Sequence, residues 1–430
     1  MTQRYDIYKH SGVQWLGEIP GHWECASLGR VLHDKLQYGA SESGDLEYTN
    51  DSMRYIRITD ITLDGKLKQD CCKYLSSEIG KNYPVRKGDV LLARSGATVG
   101  KAFIYNEDIE ACYAGYLIKA SIQQDIVFPT FFFYFTQTSQ YDEWKNRIFI
   151  QATIQNISAE KYTRMKLCIP PLSEQRSIVS YLDAKCGKTD EWVAKKQKEV
   201  EHLQELKQRV IADAVTRGLN PHVKMKVTNI PWLKEIPEHW EIYRYGTLFK
   251  LKPVKQHHGE ELLSVFLNFG VIRAAESEKR THAASEDLSK YQLVEETDFV
   301  MNNQQAWRGS VGVSKLVGII SPAYHIFKMP NCMFPDYANY LLRSKCMVSQ
   351  FEMSSRGVGS IQRTLNFNWL NNKIVPIPPL SEQKQIVSYL DAKTSKIDKL
   401  IANITKEIEC IKEYKQRLIS DAVTGQIKVC

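Results

Sequence analysis

Two stretches of the chain repeat mostly apolar residues at alternating intervals of four and three positions. In the later stretch these residues are Leu390, Thr394, Ile397, Ile401, Ile404, Ile408, Ile411, Lys415, Leu418 and Ala422. The earlier stretch carries a weaker version made of Leu182, Cys186, Thr189, Val193, Lys196, Val200, Leu203, Lys207, Val210 and Ala214. A stripe sustained over about five heptads is typical of the seam of a coiled coil.

Each stretch predicts a helix of about 40 residues, which is about 60 Å long at 1.5 Å per residue. A Pro-Pro pair precedes each helix, and Ser173 and Ser381 are the predicted N-caps. Such a helix needs a partner along its length, and the comparable stripe is the other copy. We therefore predict an antiparallel coiled coil within one chain, with an internal pseudo-twofold axis. The alternative is that each helix packs on its own domain as an ordinary amphipathic helix.

The chain repeats one plan twice. IPPLSEQRSIVSYLDAK, from Ile169, returns 208 positions later as IPPLSEQKQIVSYLDAK, from Ile377. About 30 of 50 positions are identical from these points onward, which shared composition does not produce. A second repeat precedes each half, WLGEIPGHWE from Trp15 and WLKEIPEHWE from Trp232.

Between these motifs lie two regions that share little sequence, residues 25–168 and 242–376. Their short β-branched and aromatic runs, separated by Gly and Asn turns, predict globular domains of α/β or α+β class. The resulting multidomain protein has four predicted segments. They are a first globular domain at 1–168, a first helix at 169–218, a second globular domain at 219–376 and a second helix at 377–430.

Composition narrows the class of partner and compartment. The 430 residues include 57 Lys and Arg against 49 Asp and Glu, and a net charge of +8 favours a polyanionic partner. The ten cysteines form no CxxC pair and no zinc spacing, so we expect free thiols in a reducing cytoplasm. The first residues lack the order of a signal peptide, and no run of about 18 apolar residues predicts a membrane span or a membrane partner.

Signatures of catalysis are missing from the sequence. SGATVGK, from Ser95, is one residue too short between its glycines for a phosphate-binding loop, so a turn is the better interpretation. IPPL lacks the polar residue of an amino-methyltransferase motif, and no glycine-rich loop predicts an S-adenosylmethionine site. His257-His258 is a lone pair without further ligands. We therefore predict no catalytic residue, no cofactor and no metal.

Two variable regions, each preceded by IPxHWE and followed by a PPLxEQxxI helix, resemble the specificity subunit of type I restriction-modification systems. The resemblance covers essentially the whole chain. It implies a non-catalytic subunit for host defence whose two target recognition domains each read one half of a split double-stranded DNA site. It also implies that the paired helices set the spacing and dock two methyltransferase subunits for adenine methylation. By the same resemblance, restriction subunits are expected in the full complex, for cleavage of unmodified DNA.

Base edges in the major groove are distinguished by Arg, Lys, Asn and Gln, which form paired hydrogen bonds with them. The candidates lie beside glycines and ahead of the PPL helices. The alternative for each is that it caps a turn or strand inside the fold. In the first region the predicted DNA contacts are Arg94, Ser95, Lys101, Gln151, Gln155 and Asn156. In the second they are Asn302, Asn303, Gln304, Gln305, Arg308, Arg356, Gln362 and Arg363.

Two other functions remain open from the sequence. One is a self-sufficient DNA-modifying enzyme, such as a nuclease or a methyltransferase fused to its own reader. The other is a coiled-coil scaffold whose globular domains bind proteins. Turnover without a partner would favour the first. Salt-dependent duplex binding by the assembled complex would count against the second, because phosphate contacts make DNA affinity fall with salt.

Overall fold

The computed structural model describes residues 3–45, 47–62, 67–70, 72–96, 98–150, 155–253, 260–267, 269–276, 288, 290–357 and 363–429. The chain divides into two compact units. The first comprises Met1–Lys196 and Lys406–Cys430, and the second comprises Gln197–Thr405. Each unit therefore contains one variable region together with residues from both predicted helices.

The described residues of the first unit include twelve short strands. In chain order they are β1 (Tyr8–His10), β2 (Glu18–Pro20), β3 (Glu24–Ser27), β4 (Gln37–Tyr38), β5 (Ser52–Ile56), β6 (Lys73–Ser76), β7 (Pro84–Val85), β8 (Val90–Ala93), β9 (Ala102–Ile104), β10 (Ala111–Tyr113), β11 (Leu117–Ala120) and β12 (Lys166–Ile169). Two four-stranded sheets have the orders β6-β5-β10-β7 and β4-β11-β8-β9, and β1-β2 and β3-β12 form separate pairs. All these pairings are antiparallel except β5 with β10.

The first unit also contains helices. They are α1 (Ser77–Gly80), α2 (Pro129–Phe135), α3 (Ser139–Ile150), α4 (Ala159–Arg164) and the long α5 (Leu172–Arg217). The core of the first unit contains the buried aromatic side chains of α2 and α3 together with Trp23 and Tyr162. These residues pack against the start of α5 and against Leu418 and Val423 near the end of the second long helix.

The second unit repeats this plan. Its strands are β13 (Met225–Ile230), β14 (Leu233–Pro237), β15 (Glu241–Arg244), β16 (Lys250–Leu251), β17 (Leu263–Phe266), β18 (Gly270–Arg273), β19 (Gln292–Val294), β20 (Phe299–Asn302), β21 (Val311–Val313), β22 (Gly318–Ile320), β23 (Tyr324–Lys328), β24 (Ser355–Arg356), β25 (Thr364–Leu365) and β26 (Ile374–Ile377). Its helices are α6 (Tyr245–Leu248), α7 (Pro335–Arg343), α8 (Lys345–Met353), α9 (Phe367–Leu370) and α10 (Leu380–Val423). The sheet β16-β23-β20-β21 corresponds to β4-β11-β8-β9 of the first unit.

Both long helices are continuous, and they pack antiparallel. The start of α5 lies beside the end of α10 in the first unit, and the end of α5 lies beside the start of α10 in the second. All predicted seam residues are buried or half-buried, whereas most of their neighbours on the helices are exposed. The predicted coiled coil and the mixed α and β class are therefore confirmed.

The two seam lysines pair with aspartates of the facing helix. Lys415 Nζ lies 2.6 and 2.8 Å from the two carboxylate oxygens of Asp190. Lys207 Nζ lies 2.7 Å from both oxygens of Asp398. The equivalent residues are 208 positions apart, as in the repeated phrases. The same ion pair therefore occurs in both units. A cation at a seam position is thus neutralised rather than buried alone.

The predicted N-caps are wrong by two residues. Gln175 N–H donates to Pro171 O over 3.0 Å and Gln383 N–H donates to Pro379 O over 3.0 Å, so each helix begins at the leucine after its Pro-Pro pair. Ser173 and Ser381 therefore lie inside the first turn. The proline carbonyl accepts the first intrahelical bond, and the following Glu and Gln side chains bind other parts of the unit.

In the repeated segment Ser-Glu-Gln, at 173–175 and 381–383, the glutamate anchors the IPxHWE motif. In the first unit Glu174 accepts hydrogen bonds from Trp23 Nε1 (2.9 Å) and Tyr5 Oη (3.0 Å), and His22 Nε2 lies 2.6 Å away. In the second unit Glu382 accepts from Trp240 Nε1 over 3.1 Å, with His239 Nε2 at 2.7 Å. The two repeated phrases thus form one joint in each unit.

The glutamine of the same Ser-Glu-Gln segment anchors the variable region. Gln175 is fully buried, accepts from Phe128 N–H over 2.7 Å and donates to Ile126 O and Pro170 O. Gln383 makes the same three bonds, to Phe334 N–H and the carbonyls of Cys332 and Pro378. The repeated phrase therefore holds two dissimilar domains through identical contacts.

Candidate nucleic-acid interface

Strands β8 and β20 lead to predicted DNA contacts of the first and second units, and the same kind of turn precedes both strands. Gly88 and Thr297 precede them with φ of 94° and 70°, and Thr297 is the one non-glycine residue with positive φ among those described. The next residue, Asp89 or Asp298, accepts a backbone N–H from three residues earlier over 2.8 Å. The residues that follow these strands are therefore equivalent in the two units.

The glycine loop of the first unit joins two antiparallel strands. It runs from Arg94 between β8 and β9, and Gly96 and Gly100 adopt φ of 82° and 81°. L side chains rarely adopt a φ of 81°, so the backbone at Gly100 favours glycine. A phosphate-binding loop leads from a strand into a helix, and this loop does not.

Two buried phenols fix the base of this loop. Tyr141 Oη donates to Gly100 O over 2.8 Å, and Tyr162 Oη donates to Ala93 O over 3.2 Å. Burial raises the pKa of both side chains, so both remain neutral donors. The end of β8 at Ala93 and the end of the loop at Gly100 are therefore each held by a buried phenol.

The first candidate surface consists of the described predicted contacts of the first unit, and Arg94 is its central residue. Its guanidinium carbon lies 4.8 Å from the centroid of the Tyr38 ring, and its backbone N–H donates to Tyr116 O over 3.0 Å. Tyr38 and Tyr116 are 40% and 67% exposed, so the arginine lies beside one exposed aromatic ring and is bonded to the backbone of a second exposed tyrosine. Arg94 Nε is buried and has no hydrogen-bond partner.

The structure brings the predicted polar segment next to the glycine loop. Ser95 pairs with Asn156 in an isolated antiparallel bridge, and Ile157 N–H donates to Arg94 O over 2.9 Å. Asn156 Oδ1 is buried without a partner, whereas Gln155 and, at the far end of the loop, Lys101 are exposed. Gln151 lies outside the described residues.

In the equivalent turn of the second unit, one candidate, Asn302, has a structural role, whereas Asn303 and Gln304 do not cap the turn. Asn302 Oδ1 accepts the backbone N–H groups of Gln304 (3.0 Å) and Gln305 (3.2 Å), so Asn302 caps the turn. Asn303 N–H donates to Ala323 O over 3.3 Å, and Asn303 Oδ1 is buried without a partner. Gln304 is exposed at the surface.

Arginines stack on tryptophans beside this turn. The guanidinium carbons of Arg308 and Arg363 lie 4.7 and 4.6 Å from the centroid of Trp307. Arg356 lies 4.3 Å from the centroid of Trp369, and it pairs with Thr364 across β24 and β25. Arg363 also forms an ion pair with Glu352 at 3.3 Å. Gln362 lies outside the described residues.

These aromatic side chains were not among the predicted contacts. Tyr38 is distant in sequence from Arg94, and no local pattern connects them. Trp307 directly precedes Arg308, and this neighbouring aromatic and basic pair was the available signal. Stacking on an aromatic ring fixes the orientation of the planar guanidinium, whose N–H groups lie in its plane and can donate to phosphates or base edges.

The described residues hold neither a metal-binding cluster nor a membrane-spanning helix. In the described ranges, no group of three or more His, Cys, Asp or Glu side chains is arranged to hold a metal ion. No helix in the same ranges is both long enough and apolar enough to cross a membrane.

Comparison with known sequences identifies relatives of this architecture. The family model described as "Type I restriction modification DNA specificity domain" matches residues 21–202 and 306–410. The chain is 24% identical over 424 residues to the MjaVIII specificity subunit of Methanocaldococcus jannaschii, covering 90% of this chain and 94% of the relative. It is also 24% identical over 447 residues to the EcoBI specificity subunit of Escherichia coli, covering 96% and 88%.

Comparison with solved structures supports the fold. A chain from a structure of a type I R-M system, described in terms of complex assembly and conformational transition, superposes with a TM-score of 0.68. The match covers 95% of this chain and 99% of the other at 16% sequence identity. At this identity the similarity concerns the fold alone.

Proposed function

The chain belongs to the type I restriction-modification DNA specificity family, and we propose that each of its two units reads one half of a split DNA site. It is the DNA-sequence recognition subunit of a type I system. In the proposed assembly it docks two methyltransferase subunits, which methylate one adenine in each half-site. Restriction subunits join when unmodified DNA is to be cleaved, and the complex works in the cytoplasm.

One observation carries the proposal of two reading surfaces. Equivalent contacts through Glu174 and Glu382, and through Gln175 and Gln383, hold domains whose equivalent surfaces differ. The first surface presents Arg94 beside Asn156, and the second presents Asn303 with stacked arginines. Two domains that recognise different DNA sequences require different exposed side chains, and here equivalent anchoring contacts hold both domains.

The proposed contacts fall into two roles. Arg94, Asn156, Asn303, Arg308, Arg356 and Arg363 have the chemistry for base edges, and Lys101 has the chemistry for a phosphate. Ser95, Gln151, Gln155, Gln304, Gln305 and Gln362 remain proposed contacts within the same segments. Asn302 remains a proposed contact through the turn that it caps, because its own side-chain oxygen is already engaged.

Docking of two identical partners is supported by an exposed repeat on the long helices. Lys185 Nζ lies 5.8 Å from the ring centroid of Tyr181, and Lys393 Nζ lies 5.8 Å from that of Tyr389. These pairs are separated by 208 positions and are at least partly exposed. A surface present once in each unit suits one copy of a partner in each unit.

We propose that the chain itself is not an enzyme. The test is to incubate the purified chain with duplex DNA, Mg²⁺ and S-adenosylmethionine, with and without the methyltransferase subunits of its own system. Methylation of a split adenine motif is expected only when those subunits are added. Turnover by the chain alone would establish a self-sufficient enzyme instead, and assembly with no DNA affinity would favour a protein-binding scaffold.

A further inference from the structure

Arg94 and Asn303 occupy the same position in two unrelated sequences. Each is the first residue after the equivalent inner strand of its sheet, β8 or β20. The backbone N–H of each donates to the residue that precedes the neighbouring strand, Tyr116 O at 3.0 Å and Ala323 O at 3.3 Å. The strand, the turn before it and this bond all coincide, so the two side chains start from equivalent places.

Both side chains have a buried polar atom without a hydrogen-bond partner. These atoms are Arg94 Nε and Asn303 Oδ1, and they are two of the few side-chain atoms in this condition among the described residues. Asn156 Oδ1, beside Arg94, is a third. Such atoms cost folding free energy, and few persist without a reason. Their repetition at one position in both units indicates that the side chains are kept for a partner outside the fold.

The two side chains differ in the base that each can recognise. Arginine pairs through two hydrogen bonds with O6 and N7 of guanine, and asparagine pairs in the same way with N6 and N7 of adenine. The Tyr38 ring supports the guanidinium of Arg94 and fixes its plane. The χ2 torsion of asparagine is broad, so the Asn303 amide reaches a base edge by rotating within its turn.

We propose that Arg94 and Asn303 are equivalent specificity-determining residues, Arg94 reading a guanine in one half-site and Asn303 an adenine in the other. This inference rests on the proposed function, because it requires that each unit reads one half-site. It goes further by naming the base that each position selects.

The experiment exchanges the two residues one at a time. Arg94→Asn and Asn303→Arg are made in the full chain, co-expressed with the methyltransferase subunits of its system, and the methylated motif is read by sequencing the host DNA. Arg94→Asn is expected to change one base pair from G·C to A·T in one half only. Asn303→Arg is expected to make the reverse change in the other half only.

Two further variants keep the test decisive. Arg94→Gln retains a longer stem and also pairs with adenine, so it is expected to give the same change if Arg94→Asn does not fold. Lys101→Ala is the control, since loss of a phosphate contact lowers methylation at every site without altering the motif. With purified complexes, Arg94→Ala is expected to reduce discrimination at one base pair by about 5- to 150-fold.

The outcomes separate this inference from the proposed function. A wild-type complex that methylates no split motif counts against the proposed function. A wild-type motif that persists unchanged in folded Arg94→Asn, Arg94→Gln and Asn303→Arg complexes overturns this inference alone. Changes from both positions in the same half, or unchanged discrimination by Arg94→Ala at every base pair, also overturn it.

Discussion

A single carboxylate, that of Glu174, fixes the IPxHWE motif to the start of α5. Burial tends to raise its pKa, but the hydrogen bonds from His22, Trp23 and Tyr5 outweigh this effect, and the pKa is lowered from its usual value of 4.5. Since the folded-state pKa is below the unfolded value, the stabilisation is complete above about pH 4.5 and is lost as the pH falls through the folded-state pKa.

Glu174→Gln is therefore expected to destabilise the first unit by about 1–3 kcal/mol at pH 7, because charged acceptors form the stronger hydrogen bonds. The difference from wild type should shrink below about pH 4.5. Hydrogen exchange of residues 3–27 measures the effect in the relevant segment. Glu160→Gln, at an exposed ion pair with Arg164, is the control and should change stability by less than about 1 kcal/mol. Equal effects of both variants, or a difference that grows with acidity, would contradict the assigned joint.

Trp307 supports two arginines of the second surface at once. Trp307→Leu is expected to weaken binding to the specific duplex by about 5- to 30-fold, because two cation–π contacts are each worth about 0.5–1 kcal/mol. Trp369→Leu removes one contact, that of Arg356, and should cost less. Affinities of assembled complexes for specific and unrelated duplexes at one salt concentration measure this. Unchanged specific binding by both variants would place these stacks away from the DNA.

Among the elements, the long helices were the most predictable from sequence. A seam with period 3.5 identifies which face of α5 and α10 is covered, and the burial of Leu182, Leu390 and the other seam residues follows it. The helix starts were missed because a proline carbonyl serves as the cap where Ser173 was expected.

The strands were less predictable. Several are two to four residues long, too short for a period of two to be distinctive, and their pairing joins residues far apart in sequence. The same reason explains the site: Arg94 was found through its neighbouring glycines, but its contact with Tyr38 depends on the pairing of β4 with β11. Local chemistry was visible in the sequence, and its tertiary neighbours were not.

The lysine–aspartate pairs link the two long helices once in each unit. Asp190→Lys places two cations together and is expected to destabilise the first unit by about 1 kcal/mol, since the pair is partly exposed. The double variant Asp190→Lys with Lys415→Asp should recover most of this loss. Chemical unfolding of the three chains gives the comparison, and Asp398→Lys provides the same test in the second unit. A double variant no more stable than Asp190→Lys would show that the pair is not coupled.

At the scale of the whole molecule, helix length is expected to set the gap between the half-sites. The two compact units divide α5 after Lys196 and α10 after Thr405, so insertions there leave the contacts within each unit intact. One heptad in both helices preserves the seam and adds about 10 Å, which is about three base pairs of B-DNA. The methylated motif should keep both halves and gain about three base pairs between them.

Two inserted residues serve as the control for this change. They rotate the seam by about 200° and should disrupt helix pairing and activity. A stable, active heptad variant with an unchanged gap would show that the helices do not determine the spacing.

The central claim is that two separable units read the two halves of one DNA site. The most direct measurement is the methylated motif produced after residues 25–168 are exchanged for the matching region of a relative with a different target. The exchanged segment carries the surface around Arg94, while the anchoring residues Glu174 and Gln175 and the whole second unit stay unchanged. We expect one half of the motif to take the relative's sequence and the other half to remain as in the parent chain. A motif altered in both halves would contradict independent reading by the two units.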